Sequence, residues 1–429
     1  MSDPAGSGAN CQLNPIENIK DCDNTCPSTL LDNSNAKPCK TQRGWRRLVR
    51  NFTPSWFSVN MGTGITSILL HNLPYNGRWL QYVSYIIFAL NVLLFVIFLA
   101  ISVVRYTLYP RIWAAMIRHP TQSLFLGTFP MGLATIINMM AFVCVPSWGG
   151  QWWKVTWAIW WIDATVSVAC CFSLPFILMT KHHNTISSIT GAWLLPIVST
   201  IVAAASGAIV AEVIPHDDEK LITLIVSYVL WATGVPLAMC VITLYLLRLT
   251  TNSLPPKAVI VSSFLPLGPL GQGSFGIMTM GKVAREVFPR QHSLPAVQNA
   301  GEILYVMGFL IGIIMWGFGL IWLTFAAATI LHSKKFPFNM GWWGFTFPLG
   351  VFTVATTTLG TELPSAFFRI LGTIFSLTVT ALWIMVAIGT LIRAYTGEIF
   401  VAPCLKDVED KVKDSQHKLG EQHGTKQNI

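Results

Sequence analysis

Residues 123–145 read SLFLGTFPMGLATIINMMAFVCV, and residues 152–180 read WWKVTWAIWWIDATVSVACCFSLPFILMT. The first stretch is apolar with scattered polar residues and carries Pro130, whereas the second is longer and more uniformly apolar. Each is long enough to cross about 30 Å of hydrocarbon as an α-helix, which rises about 1.5 Å per residue. The pair therefore predicts two successive membrane crossings that fold back on each other.

The same alternation occurs five times along the chain. The proline-bearing segments are 54–70, 123–145, 191–211, 258–280 and 341–361. The longer apolar segments are 79–104, 152–180, 220–249, 299–331 and 366–394. The sequence therefore predicts an all-α integral membrane protein with ten transmembrane helices, arranged as five helical hairpins.

Proline separates the two kinds of segment. It removes a backbone donor and clashes with the preceding turn, a defect that is tolerated in lipid only where neighbouring helices or water repair it. We therefore expect an inner ring of five proline-kinked helices around a central pore, with the longer helices outside. Pro175 and Pro236 lie on longer segments and are exceptions. The predicted kinks are at Pro54, Pro130, Pro196, Pro266 and Pro348.

Composition excludes an ordinary soluble protein. Of the 429 residues, 53% are hydrophobic and only 11% are charged, and the mean hydropathy is +0.55. The net charge of +9 does not indicate nucleic-acid binding, because the basic residues lie in tails and short loops. We expect the lipid bilayer as a partner and no nucleic acid.

The chain divides into three predicted parts. These are a disordered cytoplasmic amino-terminal tail at 1–45, a ten-helix transporter domain at 46–398 and a cytoplasmic carboxy-terminal tail at 399–429. Residues 1–50 lack the apolar core of a cleavable signal peptide, so we expect the first crossing to target the chain. Basic residues beside that crossing place both termini in the cytoplasm by the positive-inside rule; they are Arg43, Arg46, Arg47 and Arg50.

Cysteines in the amino-terminal tail raise the question of a metal site. Their spacing admits a metal knuckle, but no histidine is interleaved and the tail is rich in Asn, Ser, Asp and Pro. Reduced thiols in a solvated tail are the favoured interpretation. We expect no metal and no cofactor, and no ATP-binding motif is present. The four tail cysteines are Cys11, Cys22, Cys26 and Cys39.

Neutral polar residues on the proline-bearing segments are candidates for an ion path, because a pore must replace part of an ion's hydration shell. The central stretches of these segments carry no Asp, Glu, Lys or Arg. Such a path suits a weakly bound anion, since helix ends and free N–H groups attract negative charge without trapping it. For the hydroxyl residues, bonding to their own backbone is the alternative. The predicted path residues are Asn60, Thr63, Thr128, Asn138, Gln272, Ser274 and Thr346.

Two phenylalanines are candidates for a gate. Phe129 and Phe347 each precede a proline, where the loss of regular hydrogen bonding can turn a side chain toward the axis. A phenyl ring there would close a narrow pore by excluding water. Ordinary packing against helices or lipid is the alternative for each residue.

Several stretches resemble a known family. NFTPSWF at 51–57 and MGTG at 61–64 are similar to the first helix of the tellurite-resistance/dicarboxylate transporter family. This family includes plant guard-cell anion channels, fungal malate permeases and fungal sulfite efflux pumps. Resemblance to the sulfite-pump branch lies in HPTQSLFLGTFPMGLATIIN at 119–138, FLPLGPLGQGSFGI at 264–277 and FNMGWWGFTFPLGVFTVATTTLGTELP at 338–364.

The resemblance carries expectations about fold and function. It implies a ten-helix bundle with five inner helices around a pore, homo-oligomers, and a phenylalanine gate in the ninth helix, which maps onto Phe347 with Phe345 as the alternative. It also implies export of sulfite or bisulfite across the plasma membrane. An interior-negative potential would drive this export by about 2.3 kcal/mol per 100 mV for each negative charge.

Other functions remain as alternatives. Malate permeases share the first-helix motif, so a C4-dicarboxylate permease or another small-anion channel is the competing transport function. A membrane enzyme would need a catalytic constellation, and the pairs His182-His183 and Asp217-Asp218 fall on opposite sides in this topology. A receptor would not require five proline-bearing helices with hairpin periodicity. We therefore expect a transporter and not an enzyme.

Overall fold

The computed structural model describes residues 44–181 and 185–405. Every regular element within those residues is a helix, as the predicted all-α class requires. The predicted amino-terminal tail lies outside the described residues as far as position 43, together with its four cysteines. The His182-His183 pair and residues 406–429 of the predicted carboxy-terminal tail also lie outside them.

Ten main helices make up most of the described part of the chain. They are α1 (Phe57–His71), α2 (Arg78–Leu108), α3 (Thr128–Met139), α4 (Trp152–Lys181), α5 (Leu195–Val213), α6 (Asp217–Asn252), α7 (Leu267–Arg290), α8 (Ala300–Ser333), α9 (Thr346–Glu362) and α10 (Ala366–Thr396). Short helices at Trp45–Arg50 and Pro110–Arg118 precede α1 and α3. Helix α3 continues through a π-helical turn, Met140–Cys144, into Val145–Trp148.

Seven helical segments of the described chain are long and apolar enough to cross a membrane. They are Arg78–Leu108, Ser123–Trp148, Trp152–Lys181, Gly191–Val213, Asp217–Asn252, Ala300–Ser333 and Ala366–Thr396. Helices α1, α7 and α9 do not reach that standard. Two of them are short, with 15 residues in α1 and 17 in α9. The third, α7, is long enough but less apolar.

The odd-numbered helices share one local feature, which is a 3-10 segment that ends directly before the α-helix or, for α7, two residues before it. Tighter 3-10 turns are common at helix termini and mark a change in backbone direction. The odd and even helices therefore differ in backbone as well as in composition. The five segments are Pro54–Trp56, Ser123–Gly127, Gly191–Leu194, Lys257–Phe264 and Met340–Phe345.

The prolines predicted as kinks lie where these elements begin and not at mid-helix. Pro196 is the second residue of α5, and Pro130 and Pro348 are the third residues of α3 and α9. Pro266 directly precedes α7, and Pro54 opens the first 3-10 segment. The first backbone N–H groups of a helix have no partner within it, so proline costs little at these positions. The irregular backbone thus lies at the change from 3-10 to α geometry.

Burial separates the odd and even helices further. The most apolar window of the Gly191–Val213 segment, which contains α5, is 100% buried within the protein, whereas the corresponding windows of α2 and α10 are 22% buried. Helices α1, α7 and α9 are buried along most of their length. The even helices bury one face and expose large apolar side chains on the other. The exposed apolar surface of the described residues is therefore formed mainly by even helices.

The odd helices contact one another in a closed order. Helix α1 packs on α3, α3 on α5, α5 on α7, α7 on α9, and α9 back on α1. Each odd helix also packs along the even helix that follows it in the chain. Wherever two odd helices meet, a glycine allows a close approach. These glycines are Gly64 beside Thr135, Gly127 beside Leu195, Gly276 beside Ala205, Gly271 beside Phe352 and Gly350 beside Ile65.

Candidate anion path

A cavity of about 610 Å³ lies between the five odd helices; α1, α3, α5 and α9 line it with their middle and carboxy-terminal parts, and α7 lines it with residues 272–282. Its wall is mixed, with aliphatic and aromatic side chains, hydroxyls, three amides and a few charged groups near the rim. The lining residues include Asn138, Phe142, Glu212, Gln272, Phe275, Lys282, Val354, Thr358, Thr361 and Arg369. The five odd helices therefore line one common cavity, which is large enough to hold water and small solutes.

Two of the seven predicted path residues line this cavity. Asn138 enters from α3 and Gln272 from α7, and their side chains are 6% and 4% exposed. Oδ1 of Asn138 has no hydrogen-bond partner among the described residues. Amides can donate to an anion without carrying a charge, so these two side chains give the cavity neutral donors.

Three other predicted path residues hydrogen-bond to even helices. Nδ2 of Asn60 donates to Oδ1 of Asn91 on α2 at 3.1 Å. Oγ1 of Thr63 accepts from Nε1 of Trp383 on α10 at 3.1 Å, and Oγ of Ser274 donates to the Gly312 carbonyl on α8 at 2.7 Å. These bonds hold odd helices to even ones, and none of the three residues lines the cavity.

Thr128 and Thr346 lie near the starts of their helices. Oγ1 of Thr128 donates to the Pro54 carbonyl at 3.1 Å, which links the beginnings of α3 and α1. Oγ1 of Thr346 donates to the Trp343 carbonyl at 2.9 Å. Both hydroxyls therefore satisfy backbone carbonyls at the change from 3-10 to α geometry. A direct contact of either residue with an ion stays a prediction.

Phe347 lies on the face of α9 that lines the cavity, nearer to the amino-terminal end of the helix than the lining residues. It precedes Val354 by seven residues, which is two helical turns, so both side chains fall on one side of α9. Thr358 and Thr361 continue this face toward the carboxy-terminal end. Phe347 is 3% exposed. The neighbouring alternative, Phe345, packs edge-on against Phe264 at 5.1 Å between ring centroids.

Phe129 has a different environment. Its ring meets that of Phe57 on α1 edge-on at 5.1 Å and that of Phe95 on α2 at 5.5 Å. The side chain therefore packs at the junction of α1, α2 and α3, and it does not line the cavity. Its role as a gate stays a prediction. The ring contacts with Phe57 and Phe95 are those of an ordinary packing residue.

Two cavity phenylalanines were not predicted from the sequence. Phe142 and Phe275 are half-buried and line the cavity from α3 and α7. Phe142 belongs to the π-helical turn and stacks on His71 at 5.8 Å. A π-helical turn leaves no clear mark in sequence, although such turns are common at functional sites. Phe275 lies three residues after Gln272, so helical spacing could have placed it on the same face.

The field along the odd helices favours an anion at one end. Because their carboxy-terminal parts meet at the cavity, their amino-terminal ends meet at the opposite side of the bundle. Each helix end carries about half an elementary charge, positive at the amino terminus and negative at the carboxy terminus. The arrangement attracts anions at the amino-terminal side. At the cavity, the negative helix ends repel anions. Lys282 and Arg369 line the cavity and offset this negative charge.

Comparison with known proteins identifies the family. The sequence profile of the voltage-dependent anion channel family, SLAC1, matches residues 51–391. The protein named sulfite efflux pump SSU1 from Arthroderma otae is 55% identical over 352 residues, which cover 82% of this chain and 93% of that protein.

More distant relatives extend the comparison. Sulfite efflux pump SSU1 from Saccharomyces cerevisiae is 26% identical over 385 residues, covering 76% of this chain and 84% of that protein. The malic acid transport protein of Schizosaccharomyces pombe is 24% identical over 356 residues, covering 81% and 79% respectively. These matches confirm the resemblance seen in the sequence motifs. The chain is a multi-pass membrane protein and belongs to the SLAC1 voltage-dependent anion channel family.

Proposed function

We propose that this protein exports sulfite or bisulfite from the cell across the plasma membrane. The observation that carries the proposal is the 55% identity, over 93% of its length, to a protein named as a sulfite efflux pump. The cavity is compatible with this cargo, because its amides Asn138 and Gln272 can donate to a small oxyanion without holding it as a buried cation would.

The path follows the axis of the five odd helices, within a bundle of ten membrane crossings. The closed order of contacts among the odd helices supports this arrangement, as do their burial and the cavity that all five line. The even helices face lipid with their exposed apolar side chains. Homo-oligomers, which the family resemblance implies, would cover part of that outer surface.

Both termini lie in the cytoplasm in this proposal. Arg46, Arg47 and Arg50 lie in the short helix before α1, and Arg111 and Arg118 lie in the helix between α2 and α3. This end of the bundle is thus rich in basic residues outside the apolar core, as cytoplasmic ends are. The cavity then opens toward the outside, and the interior-negative potential drives anions from the amino-terminal ends of the odd helices toward it.

Phe347 is the proposed gate, because it lies on the cavity-facing side of α9 two turns before Val354. A buried phenyl ring at that depth separates the cavity from the amino-terminal side and excludes water from the path. Phe129 is the second candidate from the sequence, and its contacts with Phe57 and Phe95 favour a packing role.

A dicarboxylate permease is the competing function, because the malic acid transport protein of S. pombe covers a similar share of this chain at 24% identity. Flux through the purified protein in liposomes separates the two. Sulfite, malate, nitrate and chloride are compared under one set voltage. We expect sulfite flux to exceed malate flux clearly, with protein-free liposomes as the control. Malate flux equal to or above sulfite flux would contradict sulfite export.

A further inference from the structure

The rim of the cavity carries charges that its centre lacks. Glu212, Lys282 and Arg369 line the main cavity near the carboxy-terminal helix ends. Glu212 and Lys282 also line an adjoining cavity of about 450 Å³, whose wall includes Arg285, Glu286, Tyr305 and Glu362. Lys282 therefore lies between the two spaces, ten residues after Gln272 on α7.

Lys282 forms an ion pair with one carboxylate, that of Glu362, and a second carboxylate, that of Glu212, is close enough to interact with its charge. Its Nζ lies 2.5 Å from Oε1 of Glu362 at the end of α9. The Lys282 side chain is 35% exposed and that of Glu362 is 9% exposed. The carboxylate is thus enclosed, whereas the ammonium remains accessible. An ammonium has three donors, so one ion pair leaves donors that can reach a solute in the cavity.

Glu362 is fixed from a second side. Its Oε2 accepts a hydrogen bond from the Tyr305 hydroxyl on α8 at 2.5 Å. The guanidinium of Arg285 lies over the Tyr305 ring at 4.4 Å from the centroid. Three elements, α7, α8 and α9, therefore hold the carboxylate in one place. The pair is consequently a built feature of the rim and not a chance contact between two mobile side chains.

The arrangement gives Lys282 a reduced affinity for anions. A lone lysine beside a narrow path would hold an anion strongly and slow its release, whereas a lysine that is already paired must share its charge. A passing anion competes with Glu362 for the same ammonium. The negative helix ends at the cavity weaken the attraction further, so the rim can accept an anion and then release it.

We propose that Lys282 is the anion contact at the mouth of the path, and that Glu362 sets its affinity low enough for release. The ligand is a small oxyanion of one or two negative charges, the class to which sulfite and bisulfite belong. This inference rests on the proposed function, since it concerns the site through which the exported anion leaves.

Sulfite flux at a range of concentrations, measured in liposomes with protein of matched amount, tests the pair. Glu362→Gln leaves Lys282 without its partner, so we expect the half-saturating sulfite concentration to fall about fivefold and maximal flux to fall with it. Lys282→Gln is expected to raise the half-saturating concentration by a similar factor. The double variant should match Lys282→Gln, because Glu362 acts through the lysine.

Glu302→Gln is the matched control. Glu302 is exposed in the first turn of α8, three residues before Tyr305, and it lines neither cavity. The Glu302→Gln change removes the same charge at the same end of the bundle as Glu362→Gln. We expect the half-saturating sulfite concentration and the maximal flux to stay at the wild-type values. Size-exclusion profiles of the purified variants report whether each one folds. If Glu362→Gln does not fold, the Lys282→Gln arm decides alone.

The outcomes separate this inference from the proposed function. Wild-type sulfite flux with no change in Lys282→Gln, or with Glu362→Gln equal to the Glu302→Gln control, would overturn the rim site and leave sulfite export standing. Additive effects in the double variant would also overturn it, because the two residues would then act independently. No sulfite flux through the wild-type protein would instead count against sulfite export itself.

Discussion

Asn138 and Gln272 face one cavity from helices α3 and α7, which do not follow each other in the chain. Among the described residues, neither side chain is hydrogen-bonded to an even helix, unlike the side chains of Asn60 and Ser274. The two amides are therefore the polar groups of the predicted path that are free to serve a solute. Four predictions follow from this division between cavity-facing and helix-joining polar residues, and from the helix contacts around it.

Replacing a cavity amide is expected to reduce transport without unfolding the protein. Gln272→Leu removes one hydrogen-bond donor group from the path. Sulfite flux should fall about tenfold, which corresponds to the loss of about 1.4 kcal/mol of interaction free energy. Flux in liposomes and the melting temperature of the purified protein are the two measurements. Gln151→Leu, at an exposed position between α3 and α4, is the control. Equal losses in both variants would remove Gln272 from the path.

Opening the proposed gate is expected to raise flux. Phe347→Ala replaces a buried ring with a methyl group on the cavity-facing side of α9, so water and ions should pass more freely and sulfite flux should increase several-fold. Phe129→Ala is the comparison, because its ring packs on Phe57 and Phe95. That change should lower the melting temperature without increasing flux. If sulfite flux increases with Phe129→Ala and not with Phe347→Ala, Phe129 would be the gate and Phe347 the packing residue.

The Asn60–Asn91 bond is expected to stabilise the bundle. Nδ2 of Asn91 donates in turn to Oγ1 of Thr135 at 3.1 Å, so one polar chain joins α1, α2 and α3. Asn60→Leu removes the hydrogen bond that Asn60 donates to Oδ1 of Asn91, and the buried Asn91 oxygen then lacks this donor. The change should cost about 1–3 kcal/mol of stability. Thermal unfolding of the purified protein measures the loss. The Asn60→Leu/Asn91→Leu pair should lose less than the sum of the single changes, and simple additivity would argue against a direct bond.

Close packing of α7 on α9 is expected to depend on one glycine. A Cβ at Gly271 would lie 2.5 Å from the backbone nitrogen of Phe352, whereas the nearest atom to a Cβ at Gly268 is a Val198 methyl at 3.8 Å. Gly271→Ala should therefore cost about 1–3 kcal/mol or prevent folding, and Gly268→Ala should be tolerated. Expression level and melting temperature compare the two. Similar stability for both variants would contradict the close contact between α7 and α9.

The sequence predicted the positions of the long helices well, because length, apolarity and proline act locally. The segments 191–211 and 341–361, for example, correspond to the observed 3-10 and α elements that begin at Gly191 and Met340. The 3-10 starts themselves were not predicted. Proline marks the beginning of a helix as readily as a kink, and the choice between them depends on the backbone before it.

The direction of polar side chains was much harder to predict. Asn60 and Asn138 are the same residue type on neighbouring helices, yet one bonds to Asn91 on α2 and the other lines the cavity. The difference depends on how each helix is rotated about its axis, which is set by packing against several neighbours and not by local sequence. Charged residues at the rim were missed for a related reason. Lys282 lies two residues beyond the predicted segment 258–280, whereas α7 continues to Arg290.

The central claim is that the odd helices enclose the path of the exported anion, and chemical block of one cavity position tests it most directly. Gln272→Cys places a thiol in the cavity wall, and a negatively charged, membrane-impermeant maleimide is applied to cells from outside and washed away. The thioether is preferred to a mixed disulfide because sulfite cleaves disulfides. Wild-type cells receive the same treatment as a control for the native cysteines.

The proposed path predicts that labelling abolishes most sulfite efflux through Gln272→Cys and leaves wild-type efflux unchanged. Mass spectrometry of the recovered protein confirms that position 272 is modified. Full efflux through protein that is labelled at this position would contradict a path between the odd helices.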